Sequence, residues 1–404
     1  MKVLLITMAW PNYGEYNLYS DLMEEFNKQG HKVTVLGIND RNQRGKTYRS
    51  IENGVRVIRV KTGSIQKTNK YKKVIFSFLA GLQMLIAAFR YLRNERFDLI
   101  LFSTPPITLT PAVVFLKHWY HGKLYLLLKD IWPQDTVDLG GMRKGGIVWG
   151  IFRMLEKMTY NASDYIGCMS PANVSYLQSH NRFHKNKIIE VCPNSMKKRA
   201  FFDVERDEIR EKYHLPKDKV IFLYGGNLGK SQGLKFLMEI VEHYRNHPKI
   251  FFLITGSGTE YGYLERGFKK LRASNVKLMP SLSPKEYEIL TRACDVGLIF
   301  LHQNSTVPNF PSRLLSYLTA KLPVIAAVDT ATDIGTIVES AGCGFQAFHG
   351  NLQSFERAVK RIMSSKELRS EMGERGYQLF LTEYTAEKSY EIIMKHFNRT
   401  SSVR

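Results

Sequence analysis

The stretch LYGGNLGKSQGL, Leu223 to Leu234, decides how the chain is read. It nearly matches the phosphate loop G-x-x-x-x-G-K-[ST]. Gly225, Gly229, Lys230 and Ser231, however, leave three residues between the glycines where that loop has four. KVIFLYGG before the turn reads as a strand, and LKFLMEIVEHYRN reads as a helix that begins only after Gly233. Strand, glycine turn and helix in that order put backbone N–H groups and a helix N-terminus where a phosphate can bind. IFFLITGSG, 250–258, repeats the strand-then-glycine arrangement one unit later, without the third glycine of a dinucleotide fingerprint. Each turn alone is equally a structural tight turn; together they point to one diphosphate-containing ligand.

Outward from this turn, short apolar runs alternate with helix-like stretches, the rhythm of parallel βαβ units. KVLLIT (2–7), HKVTVLGI (31–38), DLILFST, GKLYLLL, DYIGCMS and KIIEVCPN give one series ending near residue 194. KVIFLYGG, IFFLITGSG, NVKLMPS, DVGLIFL, LPVIAA and CGFQAF give a second. The polar, irregular residues 195–218 separate them. A chain of 404 residues is too long for one core, so the expectation is α/β with two doubly wound domains. The domains are set at 1–195 and 196–385, followed by a C-terminal helix and tail, 386–404. Ligands are expected at the carboxyl ends of the strands.

The net charge of +21 is uneven. Residues 1–200 hold 30 basic and 14 acidic residues, whereas 201–404 hold 28 and 23. Within 41–73 there are eleven basic residues against Glu52 alone. That run is either a solvated loop or a surface for anionic lipid or nucleic acid. Residues 74–89 carry no charge but fall short of the roughly 20 residues that span a bilayer. They read as a buried helix or as one dipping into the membrane interface, with Arg90, Arg93 and Arg96 at its end. The cysteines at 168, 192, 294 and 343 have no metal spacing and read as small buried hydrophobes. No signal-peptide cleavage site follows the first strand.

Taken in order, the motifs resemble the GT-B glycosyltransferases of retaining family 4. YGGNLGKSQGL is similar to the turn G-N-[LI]-G-x-x-Q-G-L of the branch serving bacterial O-antigen and capsule assembly, which includes N-acetyl-L-fucosamine transferases. ITGSG, NVKLMPSLSPKEYEILTRACDVGLIFL and PSRLLSYLTAKLPVIAAVDT resemble further donor-side segments. LLLKDIWPQDTVDLGG resembles R-D-L-W-P-E-S, and VCPNS resembles I-P-N-G. The resemblance implies the GT-B fold, two Rossmann-like domains facing a cleft, with the C-terminal helix crossing back to the first domain. It places donor binding on Gly226, Asn227, Gly229, Lys230, Gln232, Gly256, Gly258, Pro280, Ser312, Ser316 and Glu339. Arg313, at the P-S-[KR] position, is expected to hold the departing diphosphate, a task suited to a fork of guanidinium donors. No D-x-D motif occurs, so no metal and no cofactor are expected. On the acceptor side the candidates are Gly14, Glu15, Trp132 and Asp130, the last to orient or deprotonate a hydroxyl. Glu339 is alternatively a helix-surface or capping residue, and Asp130 a structural one. The chain departs from the family's E-x7-E element, with Pro308 and Ser316 at its two positions.

The function implied is transfer, with retention, of an N-acetylated deoxyhexose or hexosamine. The donor is a UDP-sugar and the acceptor polyprenyl-diphosphate-linked, in capsule or O-antigen biosynthesis. The setting implied is cytoplasmic, peripheral on the inner face of a bacterial plasma membrane, against its anionic surface. The rival readings are a GT-B nucleotide-sugar epimerase and a nucleic-acid-binding protein. The second would need readout modules that the sequence lacks, so no nucleic-acid partner is expected.

Overall fold

The computed structural model describes residues 1–38, 45–63, 70–200 and 204–397, with 70–74 described in the backbone alone. The chain forms two compact units, Met1–Lys197 with Ala386–Arg404, and Lys198–Thr385.

The strands of the first unit are β1 (Lys2–Thr7), β2 (Lys32–Ile38), β3 (Tyr48–Glu52), β4 (Val55–Val60), β5 (Leu99–Thr104), β6 (Lys123–Leu128), β7 (Tyr165–Cys168) and β8 (Ile188–Val191). They make one sheet ordered β3-β4-β2-β1-β5-β6-β7-β8, parallel except for β3. β1, β5 and β6 are nearly unbroken apolar runs because a central parallel strand is covered on both faces. Its helices are α1 (Leu18–Lys28), α2 (Lys70–Leu92), α3 (Thr110–Tyr120), α4 (Gln134–Asp138), α5 (Ile147–Ala162) and α6 (Pro171–His180). Asn17 starts α1 by accepting from the backbone of Tyr19 and Ser20 at 2.9 and 3.0 Å, which fixes where the Tyr19 side chain leaves the helix.

The basic stretch 41–73 is not one solvated loop. Residues 41–44 and 64–69 lie outside the described residues, but the rest contains the antiparallel hairpin β3–β4 and the start of α2. Asn53 and Gly54 turn the hairpin with φ of 48 and 78, the pair of positive angles that tight hairpins need. Arg59 is buried and donates to both Glu52 oxygens, at 2.9 and 2.6 Å, while Trp10 Nε1 donates to Glu52 at 3.0 Å. Arg56 is tied to Thr34 and to Glu95. Two of the eleven cations therefore serve the fold.

The second unit contains β9 (Val220–Asn227), β10 (Ile250–Ser257), β11 (Val276–Pro280), β12 (Val296–Phe300), β13 (Val324–Val328) and β14 (Gly344–Phe348). All pair in parallel in the order β11-β10-β9-β12-β13-β14. This is the doubly wound order of nucleotide-binding folds, with its switch point between β9 and β12. The first sheet has the same switch between β1 and β5. The helices are α7 (Arg206–Lys212), α8 (Leu234–His243), α9 (Tyr261–Leu271), α10 (Pro284–Arg292), α11 (Arg313–Thr319), α12 (Ile334–Ser340), α13 (Leu352–Met363) and α14 (Lys366–Glu383).

The last helix, α15 (Ala386–Met394), returns to the first unit and packs on α1. The Tyr390 ring meets Phe26 edge-on at 4.9 Å, and its hydroxyl bonds His31 Nε2 at 2.9 Å. His396 stacks on Tyr165 at 4.4 Å and bonds Glu190 at 2.8 Å. All four cysteines are buried and free.

Candidate functional site

The carboxyl end of β9 is shaped by its neighbour. β9 and β10 pair residue for residue, from Val220 opposite Ile250 to Asn227 opposite Ser257. A Cβ on Gly256 would stand 1.8 Å from the Gly226 carbonyl oxygen, and one on Gly258 would stand 2.3 Å from that of Leu228. No side chain fits at either place, so these glycines let two strand ends run in contact up to the turn. Gly225 is closed in the same way by Tyr287. Gly226, at φ +111, is open: the nearest atom a Cβ would meet is Arg313 Nη2, at 3.9 Å.

After Asn227 the chain makes a single 3-10 turn, Lys230–Gln232, and Gly233 at φ +60 redirects it into α8. A side chain on Gly233 would collide with His349, whose Nε2 lies 2.9 Å from the Gly233 oxygen. The turn thus separates the glycines from the helix start, and Lys230 stands exposed on it. This is not the geometry of a triphosphate loop, in which an α-helix starts directly after the second glycine: here Lys230 follows Gly229 on the 3-10 turn and α8 begins only at Leu234.

Arg313 opens α11 beside this turn. Its guanidinium carbon lies 4.1 Å above the Tyr224 ring, and Nη2 donates to Gln232 Oε1 at 2.8 Å. Nη1 is buried and has no hydrogen-bond partner among the described residues. A buried donor left without a partner costs about 1–3 kcal/mol, so Nη1 is a donor open to an acceptor from outside the described residues. Tyr224 donates to the Asn227 oxygen at 3.0 Å, which sets the turn against the arginine. Tyr317 ties β9 to β12 at the switch point: its hydroxyl accepts from Gly225 N at 3.2 Å and faces the Leu298 oxygen at 3.0 Å. Burial raises the phenols of Tyr224, Tyr287 and Tyr317, with Tyr287 pushed up to about 12, so all three stay neutral.

The remaining donor-side candidates distribute unequally. Gly226, Asn227, Gly229, Lys230 and Gln232 surround the turn, but Gln232 is buried and holds Arg313. Pro280 pairs with Gly256 in register, and its oxygen accepts from Thr255 Oγ1 at 2.7 Å, so it lies at the second glycine turn. Ser312 precedes α11 and makes no capping hydrogen bond; Ser316 follows one turn later. Glu339 is used elsewhere: its carboxylate accepts from Gln346 N at 3.0 Å on β14, three strands from β9. The sequence reading missed His302, whose N–H donates to the Ser231 oxygen at 2.9 Å and whose ring lies 5.7 Å from that of His349. Its place just after β12 was the available signal. Among the described residues no three His, Cys, Asp or Glu side chains gather as metal ligands.

In the first unit, Asp130 follows β6 and opens to solvent. The protein around it, and then the Asp135 carboxylate, push its carboxyl up to about 6 against the pull of Lys129. Tyr19 and Ser103 stand side by side in a hydrogen bond; the protein around the half-buried Tyr19 raises its phenol, the Ser103 bond pulls it back, and Asp130 adds to the rise. These three residues come from α1, β5 and the end of β6, around the β1/β5 switch point. Tyr19 and Ser103 had not been singled out in the sequence. Trp132 is a packing residue: it meets Phe152 edge-on at 4.1 Å and donates to Thr136 at 2.6 Å. Gly14 turns the loop after β1 at φ +82, and Glu15 accepts from Asn12 at 3.0 Å.

Two family models match the chain. "Glycosyl transferases group 1" covers residues 205–379 and "Glycosyltransferase Family 4" covers 18–196. WbjE of Pseudomonas aeruginosa, named as a probable glycosyltransferase, is 22% identical over 289 residues, 70% of this chain and 71% of that protein. WcaI of Escherichia coli strain K12, named "Putative colanic acid biosynthesis glycosyl transferase", is 24% identical over 253 residues, 61% of each. The structure of sucrose-phosphate synthase from Thermosynechococcus elongatus superposes with a TM-score of 0.78 at 17% identity, covering 100% of both chains. Anabaena Alr3699/HepE in complex with UDP-glucose gives 0.70 at 14% identity, over 99% of this chain and 100% of that one.

Proposed function

We propose a reaction for this chain from the premise that it belongs to the group 1 and family 4 glycosyltransferases, nucleotide-sugar enzymes of GT-B fold. The chain moves an N-acetylated deoxyhexose or hexosamine from a UDP-sugar to a polyprenyl-diphosphate-linked acceptor in bacterial surface polysaccharide synthesis, with retention. The observation that carries the donor half is the Arg313 guanidinium beside the open Gly226, with its Nη1 unpartnered among the described residues. The polymer setting draws on WcaI, named for colanic acid biosynthesis, and the nucleotide on HepE, solved with UDP-glucose.

As the bond between sugar and nucleotide breaks, negative charge grows on the diphosphate. Arg313 meets that charge without moving, because Gln232 and the Tyr224 face already hold it. A group oriented in advance stabilises the transition state without reorganising. Backbone N–H groups of the glycine turn other than that of Leu228, which is given to the Ser257 oxygen, supply further donors, and Lys230 adds a mobile charge at the rim. Gly256, Gly258 and Pro280 border the nucleoside, and Ser312 and Ser316 face the donor from α11. Ser316 offers the ribose a neutral hydroxyl where a carboxylate would give a stronger, charge-assisted bond. On the acceptor side, Asp130 orients the incoming hydroxyl, supported by Tyr19 and Ser103, while Gly14 and Glu15 border it.

The test is a UDP-release assay with a panel of UDP-hexoses and UDP-acetamido sugars, with and without a short polyprenyl-diphosphate-linked sugar, the products resolved by mass. Acceptor-dependent UDP release with the lipid gaining one sugar is the expected result. Epimerised sugar with no change in the lipid, or no turnover of any UDP-sugar, overturns the reading.

A further inference from the structure

We infer that the face of the first unit formed by α2, α3 and α5 is a membrane-docking surface for a bilayer with anionic headgroups. Right-handed crossovers place these three helices on the face of the sheet opposite α1 and α15, and α3 packs against both α2 and α5. Among the described residues nineteen large hydrophobic side chains are exposed, and eleven of them lie on these three helices. On α2 they are Ile75, Phe78, Leu79, Leu82 and Ile86, one stripe at helical spacing. The opposite stripe of α2, Ala80, Met84, Ala87, Ala88 and Leu92, is buried in the domain. The helix is thus apolar on both sides, which water alone does not favour.

α3 adds Phe115 (45% exposed) and Trp119 (47%), whose rings stack with centroids 6.2 Å apart and both contact Phe89 of α2. α5 adds Ile147 (85%), Val148, Ile151 and Met154. A grouping on this scale exceeds the scattered apolar residues normal on a soluble surface. The 18 residues Ile75–Leu92 are long and apolar enough to cross a bilayer, which the count of 74–89 had not suggested. Because their inner stripe is buried against the domain, the helix contributes its outer stripe and lies along the surface.

Charge selects the occupant. No Asp or Glu occurs in 53–94, 99–129 or 139–155, which spans α2, α3 and the first half of α5. Glu156, in the second half of α5, is buried against Arg153 and Tyr160. Exposed cations border the stripes: Arg90 and Arg93 continue the α2 face past Ile86, Arg143 and Lys144 precede Ile147, and Lys157 follows Met154 one turn on. An apolar face free of carboxylates and rimmed with Arg and Lys is complementary to acidic lipid at the headgroup boundary. A protein partner or a second copy would need apolar contact but has no reason to require the missing carboxylates.

This inference rests on the proposed reaction only for its purpose, since a lipid-linked acceptor lies in a bilayer; binding itself is independent of catalysis. The test is co-sedimentation of the full chain with vesicles of three parts phosphatidylcholine to one part phosphatidylglycerol, against pure phosphatidylcholine, at low and high salt. Binding is expected on the anionic vesicles and should weaken with salt. Leu82→Glu with Ile86→Glu should weaken it by at least about tenfold, and Arg90→Glu with Arg93→Glu by a similar factor. All four positions are exposed, and an unchanged UDP-induced shift in melting temperature checks that the variants fold. Absence of vesicle binding, equal binding by the variants, or binding to neutral vesicles at the same strength overturns the proposal. Light scattering at the same concentrations supplies the competing outcome: a wild-type dimer that Leu82→Glu with Ile86→Glu converts to monomer assigns the face to a second copy. Failure of UDP to shift any of the proteins would instead strike the donor-site reading and leave this one standing.

Discussion

Replacing Arg313 with alanine removes a half-buried cation that faces the glycine turn with a donor unused among the described residues. In the resting protein the change deletes the 2.8 Å bond to Gln232 and the stacking over Tyr224. Each is worth about 1 kcal/mol, so melting should fall by a few degrees and the fold should survive. In the reaction the loss is larger, because the guanidinium acts on charge that develops on the leaving diphosphate. Removing one preorganised donor of that kind costs about 2.7–4 kcal/mol, or 10²–10³ in kcat. Arg313→Lys keeps the charge but cannot reach Gln232 and the ligand with one rigid fork, so it should recover only part of the loss. Initial rates of UDP release at saturating acceptor, with UDP-dependent melting shifts measured on the same samples, read both effects. An alanine variant that melts normally and turns over within about threefold of the parent would refute the argument.

Further tests address the other parts of the account. Asp130→Asn should lower acceptor-dependent turnover, and the parent's rate should rise with pH through about 6 as the carboxyl ionises. Because the folded state raises that pKa above its ordinary value, the charged form is disfavoured in the fold. The asparagine variant should therefore melt higher than the parent at pH 8 and equally near pH 3.5, by calorimetry. Gly256→Ala forces a Cβ to 1.8 Å from the Gly226 oxygen, so the second unit should lose about 3 kcal/mol or more, measured by urea unfolding. Glu52→Ala leaves Arg59 buried without its carboxylate and should cost about 3–5 kcal/mol. Burial raises the Glu52 carboxyl, but bonds from Arg59, Ser50 and Trp10 outweigh it and hold the pKa low. The Glu52 contribution is thus complete above the ordinary carboxylate range and lost as pH falls below it, which a pH series of melting curves on parent and variant will separate.

Most strands could be located from sequence because central parallel strands are unbroken apolar runs, and those of both sheets announce themselves this way. The donor turn was legible for a related reason: glycine at 225, 256 and 258 is imposed by strand and tyrosine contacts, and such positions stand out as punctuation. The hairpin β3–β4 escaped because its charge drew the reading toward solvent, although Asn53-Gly54 between alternating residues is a strong turn signal. Tyr19 and Ser103 lie 84 residues apart, and nothing local marks a phenol and a hydroxyl that meet only once β1 and β5 pair. Family position places Gln232 at the donor turn but does not show that it holds Arg313, a bond that only the fold brings together. For α2 the sequence leaves a buried helix and an interfacial one both open, and only the fold shows which half of its apolar residues is covered.

The central claim is that the glycine turn of the second unit and Arg313 receive a nucleoside diphosphate. Melting curves of the parent and Arg313→Ala with UDP, GDP, ADP, CMP and magnesium–ATP test it most directly, since a ligand of the native state raises the melting temperature by an amount set by its affinity. The account predicts stabilisation of the parent by UDP in the presence of a metal chelator, and a much smaller shift in Arg313→Ala. Stabilisation by magnesium–ATP alone, or a UDP shift that Arg313→Ala leaves unchanged, would contradict it.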